Sequence, residues 1–312
     1  MVQSMEREAV LPRVWVRDEP VELDPRRALV VEPGSRVALT EIEPAEATRC
    51  MSYESTVTLI GSYIEQISRL QYLMHAEGRH SLLIILQGID AAGKDGVAHH
   101  ILRSTNPAGC RVVPFRQPSA VEARHDFLWR VHRHAPAKGE VVVFNRSHYE
   151  DVLFARVHQT IPPVVWMRRY DLINGFEQLL AEANETTVVK FFLHISKAEQ
   201  LARFKARLDD PARQWKISES DYEEREHWDA YAAAFEDMLF RTSTQHAPWY
   251  VIPANNRLSR DLAISQILAR TLQDLHMKAP EPSVDIAEIR RRYHAAIAGD
   301  TVTHERLGSL RV

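Results

Sequence analysis

Cysteine is scarce in this chain. Cys50 and Cys110 are the only two in 312 residues, and they share no C-x-x-C spacing. A disulfide framework is therefore excluded as the organising device, and a reducing cytoplasm is the compartment this implies. Long apolar runs are missing as well, none approaching the roughly 18 residues of a membrane span. The N-terminal MVQSMEREAVLPRVWVRDEP lacks the apolar h-region of a signal peptide. Neither sign of charge dominates, since the formal net charge is −3. That argues against a nucleic-acid binder and leaves any polyanion binding to local basic patches. The 15 histidines are scattered, with no H-E-x-x-H or comparable pair, and read as surface and packing residues. G-x-S-x-G, G-x-G-x-x-G and catalytic-cysteine patterns are absent too. What remains is a composition 45% hydrophobic and 26% charged, enough for one large core or two modest ones.

The periodicity organises the chain. Residues 1–50 are rich in Pro, Arg and Glu, with short alternating pieces, RVWV and RVAL, and read as an extended arm with a short strand or two. From Ser52 to about Met74, Val57, Ile60, Ile64, Ile67 and Leu70 recur at three and four, which predicts a helix with one buried face. Continuous apolar runs follow at 81–87, 111–115, 140–144, 186–195 and 249–253, each suited to a strand buried on both faces. Helical spacing lies between them, at 121–134 and 173–183. Five such strands alternating with helices predict a parallel sheet in a three-layer α/β fold. The charged section 196–246 interrupts the rhythm and has the character of a lid, and 278–312 reads as a linker, a basic helix and a loose end.

SLLIILQ runs directly into GIDAAGKDG, residues 88–96. A strand, then G-x-x-x-x-G-K, then a helix is the context of a phosphate-binding loop. Gly88 and Gly93 permit close backbone approach, the helix N-terminus faces the anion, and Lys94 adds a point charge. The hydroxyl that ordinarily follows this lysine is replaced by Asp95, and a second carboxylate, Asp90, lies inside the loop. Bare carboxylates would repel phosphate. A cation between them resolves the conflict, because Mg²⁺ bridges one or two carboxylates to substrate phosphates. Asp90 then takes the place of the hydroxyl, while Asp95 has the second reading of a first-turn acid favoured by the helix dipole.

EVVVFNRSHYEDVL forms the next constellation. At the carboxyl edge of a buried strand, where α/β sheets bind ligands, stand Asn145, Arg146, His148, Glu150 and Asp151. Asn145 occupies the place of a metal-serving acid, and Arg146 is placed to neutralise a transferring phosphoryl group. Glu150 and Asp151 either orient a metal or acceptor or are simply first-turn acids. Two basic segments accompany these: Arg203 and Arg207 share a helix face, with Lys197, Lys205 and Arg213 nearby, and Arg124, Arg130, Arg133 and His134 cluster in 121–134. Most charge runs are solvated faces. Beside a phosphate loop, they suggest a channel for something more anionic than one nucleotide.

GIDAAGKDG, HDFLWRVHRHAPAKGEVVVFNRSHYEDVL, RYDLINGFE, KFFLHISKAEQ and WKISESD, in that order across about residues 55–275, closely resemble the polyphosphate kinase 2 family. FNRSHYEDVL in place of FDRSWY looks like the branch that phosphorylates AMP as well as ADP. The resemblance implies a P-loop kinase core over 51–278 with a helical lid at about 196–246, flanked by the arm 1–50 and a helical tail 279–312. It implies Mg²⁺- or Mn²⁺-dependent phosphoryl transfer between inorganic polyphosphate and AMP, ADP or ATP by a cytoplasmic homodimer or homotetramer, with no nucleic-acid or membrane partner. Two departures stand out: Val97 where GKDGT would carry Thr, and PANNRLSRDLA without the lysine and aromatic of a similar stretch.

The site expected from residues and resemblance together has three parts. Asp90, Lys94, Asn145, Arg146, Arg203 and Arg207 carry catalysis. Gly88, Ala91, Ala92, Gly93, Lys94, Asp95 and Gly96, with Arg130, Arg133 and Glu150, hold phosphates and nucleotide, and Asp90, Asn145 and Asp151 hold the metal. The same core would also serve an ATP-dependent nucleoside monophosphate kinase or a non-catalytic binding regulator.

Overall fold

The computed structural model describes residues 24–45 and 52–308, with side chains to residue 297. The RVWV piece of the arm lies outside the described residues. In chain order the elements are α1 Pro25–Leu29, β1 Val30–Val31, α2 Tyr53–Glu77, β2 Ser81–Gln87, α3 Lys94–Leu102, β3 Cys110–Pro114 and α4 Trp129–His132. Then come β4 Val141–Asn145, α5 Glu150–Val157, α6 Pro163–Asn184, β5 Thr186–His194, α7 Lys197–Leu208, α8 Glu219–Glu226 and α9 Trp228–Thr242. The series ends with β6 Trp249–Pro253, α10 Arg257–Gln273 and α11 Ile286–Gly308. Contacts divide the chain into residues 1–277 and 278–312. In the second unit, Asp285 Oδ1 accepts from the amides of Ala287 and Glu288 at the start of α11, and Glu288 pairs with Arg291 and Arg292.

The five apolar runs form the five parallel strands, in the order β6-β5-β2-β4-β3, with β2 central and all seven of its residues buried. Continuous apolarity is what a strand covered on both faces requires. A sixth strand extends the sheet: β1 pairs antiparallel with β6, placing Val30 opposite Tyr250 and Val31 opposite Trp249. Two residues are too few to show a period, so the sequence pattern could not announce it. RVAL, by contrast, forms no strand, and Leu39 opens a 3-10 turn in which it alone is buried.

Two apolar layers sandwich the sheet. One gathers Ile60, Ile64, Ile67 and Met74 of α2 with Val97 and Ile101 of α3 and Leu262, Ile267 and Leu268 of α10. The other gathers Val152 and Leu153 of α5, Ile173 and Phe176 of α6, and Phe235, Met238 and Leu239 of α9. The α2 helix is capped at both ends, by the Ser52 hydroxyl accepting from the Ser55 amide and by Gly78 in a left-handed conformation.

Two expectations change here. The helix read over 121–134 is broken into a 3-10 turn, Glu122–Arg124, and the single turn α4. Asp126 is the cause, because its Oδ1 accepts from the amides of Leu128 and Trp129 and starts a new turn at that point. The section 196–246 is also divided. Its last helix, α9, belongs to the core, while α7, the turn Gln214–Lys216 and α8 are the parts linked to the phosphate loop.

Candidate active site

After Gln87 the chain turns through residues 88–93 into α3, whose first residue is Lys94. Two glycines are required there. A Cβ on Gly88, at φ +146, would lie 2.7 Å from the Leu193 carbonyl oxygen, and one on Gly93, at φ +106, would lie 2.5 Å from a guanidinium nitrogen of Arg260. Ala91 takes φ +63 without being glycine, a conformation that persists only where its surroundings impose it. Arg203 imposes it. Its Nη1 donates to the carbonyls of Ala91 and Ala92 at 2.9 and 2.8 Å, its Nη2 to Ala254 and Asn255, and its Nε to Glu199.

Lys94 is buried, with Nζ donating to the Gly88 carbonyl at 2.6 Å and to that of Ile89 at 3.2 Å. Burial, and then the positive charge of Arg146, pull its pKa down to about 8. Arg146 sits at the end of β4 in a left-handed conformation, φ +64. Its guanidinium bridges two carboxylates, donating to Asp90 and, at 3.2 Å, to Glu150. The charges of Glu150 and Asp90 hold it firmly protonated against burial. The loop and the second strand end thus meet through one arginine.

A second junction lies alongside. Asn145 Nδ2 donates to Asp95 Oδ1 at 2.6 Å, and Lys216 approaches the same carboxylate at 3.6 Å. Burial pushes the Asp95 carboxyl up, but Asn145, Lys216 and Lys94 outweigh it and hold it below the ordinary carboxylate value. Lys216 brings the turn after α7 onto the loop. Gln200, buried on α7, does so from another side: its Nε2 donates to the Asp90 carbonyl, and Arg225 of α8 donates to its Oε1.

Five expected residues have other surroundings than the sequence suggested. Arg203 is 7% exposed, and its donors are spent on backbone carbonyls, so it clamps the loop rather than offering itself to a ligand. Arg207, on the same helix, is half-buried and donates only to the Lys216 carbonyl. Asp151 is ion-paired with Arg130 at 2.8 Å in a largely buried contact, whereas Asp90 pairs with Arg146. Arg130 in turn donates to the Arg116 carbonyl and lies over the Phe115 ring, while Arg133 is exposed over Trp129. The cations of 121–134 therefore do not form one stripe. Gly96 is exposed on the first turn of α3, and Val97 is fully buried in the core beneath it.

Gln200, Lys216 and Arg260 escaped the sequence reading. No pattern marks the first two, and Arg260 lies in the departing stretch PANNRLSRDLA, buried against Gly93 and paired with Asp261. An apolar cavity of about 220 Å³ opens beside Ile89, walled by Phe192, His194, Trp228 and Phe235 and by Leu39, Ile42 and Pro44 of the arm.

Among the described residues no group of three His, Cys, Asp or Glu side chains could hold a metal ion. The donor set fits a different arrangement. Asp90 and Glu150 stay about one-quarter and one-fifth exposed around Arg146, and Asp95 is well exposed. One or two such carboxylates, completed by substrate phosphates and water, are what Mg²⁺ takes in phosphoryl-transfer sites.

Comparison with known proteins identifies the family. An "AMP/ADP-polyphosphate phosphotransferase" of Meiothermus ruber is 44% identical over 253 residues, covering 81% of this chain and 94% of the relative. An "ADP-polyphosphate phosphotransferase" of Rhodopseudomonas palustris is 46% identical over 267 residues, covering 80% and 91%. The crystal structure of polyphosphate kinase 2 from Arthrobacter aurescens TC1 superposes with a TM-score of 0.83 at 38% identity, over 88% of this chain and 97% of that one. The sequence model of the family Polyphosphate kinase 2 matches residues 56–280, a span holding the phosphate loop, the Arg146 turn and α7 to α10. This chain belongs to the polyphosphate kinase 2 family.

Proposed function

We propose that the chain transfers the terminal phosphoryl group between inorganic polyphosphate and adenine nucleotides, AMP to ADP and ADP to ATP, reversibly and with magnesium. One observation carries this reading: Arg146, in a strained backbone conformation, joins Asp90 of the phosphate loop to Glu150 of the second strand end, in a chain of this family. Phosphoryl transfer asks a protein for positioning and charge neutralisation more than for covalent chemistry. The loop amides and Lys94 hold phosphate oxygens, and Arg146 neutralises charge on the group in transit. Asp90, with Asp95 and Asn145 beside it, holds the divalent metal that the family's chemistry takes. When bound, that cation screens the charge on the phosphoryl oxygens. Arg207 and Lys216, on α7 and the turn after it, serve as the lid's contacts to the polyphosphate chain, and closure of α7 and α8 excludes water. We take the active form to be a homodimer or homotetramer in the cytoplasm. The exposed Val164, Leu172 and Leu179 of α6 offer apolar surface to a second copy. No described helix is long and apolar enough to cross a membrane.

The test is direct. Purified protein is incubated with long-chain polyphosphate, Mg²⁺ and either AMP or ADP, without ATP, and the nucleotides are separated by chromatography. ADP and ATP growing from AMP is the expected result. The names of the two relatives differ on AMP, so the AMP arm carries the finer claim. ATP from ADP alone would confine the enzyme to ADP. Transfer to AMP only when ATP is supplied would point to an ordinary monophosphate kinase, and binding without transfer to a regulator.

A further inference from the structure

The strand beside the phosphate-loop strand carries a lysine in its buried middle. Lys190, opposite Ile85, is 0% exposed. Its Nζ donates to Glu177 Oε2 at 2.6 Å, to the Thr242 carbonyl at 2.6 Å and to the Tyr149 hydroxyl at 2.9 Å. Glu177, equally buried, accepts the Tyr149 hydroxyl through Oε1 at 2.9 Å and pairs there with His148 Nε2 at 3.2 Å. Burial opposes both charges and lowers the Lys190 pKa, while Lys190 and His148 hold the Glu177 carboxyl below its ordinary value.

Buried ion pairs are poor stabilisers, and apolar replacements of similar volume are often neutral or better. This pair has a position that suggests another purpose. His148 and Tyr149 lie two and three residues after Arg146, and the residue between, Ser147, accepts from Gln87 Nε2 at 3.1 Å and from the Tyr149 amide at 3.2 Å. Three wholly buried residues therefore fasten the turn from below, directly after a non-glycine residue at φ +64. Such a conformation needs surroundings that over-determine it.

We infer that Glu177 and Lys190 are positioning residues for phosphoryl transfer. Through His148 and Tyr149 they hold the 145–149 turn so that Arg146 faces Asp90 and Glu150. The inference rests on the role of Arg146 in the proposed reaction. The experiment is the paired variant Glu177→Gln/Lys190→Met, which removes both charges together, read by hydrogen exchange and by kinetics.

Amides 145–149 are expected to exchange faster in the variant while the other strands keep their protection. Values of kcat should fall up to about 100-fold, with KM for polyphosphate and nucleotide changed less than about two-fold. In an Arg146→Ala background the same pair should cost little more, because both changes act through one group. Unchanged exchange at 145–149 would overturn the inference whatever the kinetics. Faster exchange with additive kinetic losses would overturn the link to Arg146. If the paired variant does not fold, Tyr149→Phe, which removes only the hydroxyl between Glu177 and Lys190, is read in the same way. Absence of transfer by the unaltered protein would instead sink the functional reading, with the exchange measurement still decisive for the turn.

Discussion

Lys94→Ala is expected to lower kcat/KM for transfer from polyphosphate by about three orders of magnitude while the protein stays folded. The two halves of this expectation come from the same contacts. Lys94 brings its charge to the start of α3, and its donors reach only the Gly88 and Ile89 carbonyls. With a pKa near 8 in place of 10.5, the folded protein carries this cation at a cost. The sign follows directly. Between about 8 and 10.5 the unfolded chain binds more protons at this site than the folded one, so stability rises with pH across that window. Transfer has the opposite dependence, because the uncharged amine no longer attracts phosphate. The pH profile of kcat/KM should fall on an alkaline limb near 8. Bound phosphate favours the charged lysine, so the limb in kcat lies higher. Kinetics across pH 7–10 together with thermal unfolding of the variant would check this. Near-normal turnover in a folded Lys94→Ala protein would remove the loop from the mechanism.

Arg203→Met should be the most damaging change on α7, through stability first and activity second. It strips the donors from four carbonyls that define the loop and the β6–α10 turn. Unsatisfied buried carbonyls cost about 1–3 kcal/mol each, partly relieved by water. A loss on the order of 3 kcal/mol is expected, or roughly 6–12 °C in melting temperature for a domain of this size. Arg203→Lys would recover little, since an ammonium cannot reproduce a fork that reaches carbonyls on two sides. Arg207→Met provides the contrast. Its guanidinium donates to the Lys216 carbonyl and lies over the Phe204 ring, both peripheral contacts, so stability should stay within about 0.5 kcal/mol while KM for polyphosphate rises several-fold. Denaturation and steady-state kinetics on the two variants separate the clamp from the ligand contact. A fully stable Arg203→Met with a raised KM for polyphosphate would restore it to the ligand's side.

The sequence disclosed the parallel sheet because strands covered on both faces must be apolar throughout, as SLLIILQ and EVVVF are. The phosphate loop and Arg146 were legible for a related reason. Glycine at fixed intervals after a buried strand, and polar residues crowded at a strand's carboxyl end, serve little purpose away from a ligand site. Arg203 and Arg207 show where such reading stops. Four residues apart on one helix, they differ only in what lies across from them, and opposite partners leave no mark in local spacing. Asp151 is similar, since its partner Arg130 is 21 residues away in a segment whose helical spacing misled. Lys190 did carry a signal, a charge amid TTVVKFFLHI, but its meaning depended on Glu177 and Tyr149 from two other elements.

The short antiparallel strand bears on how far this domain extends. The family model begins at residue 56, yet Val31, Val37 and Leu39 are buried in the core, Ser243 donates to the Val31 carbonyl, and the Asn255 amide donates to that of Pro44. The edge of the family model and the boundary of folding are therefore different lines along the chain. Trimming to the first would bare the backbone of β6, an open row of donors and acceptors that invites pairing with another copy. It would also unroof the cavity beside Ile89, whose near wall is Leu39, Ile42 and Pro44. A region that the family model leaves out is, in physical terms, the selvedge that keeps the sheet from unravelling into its neighbours.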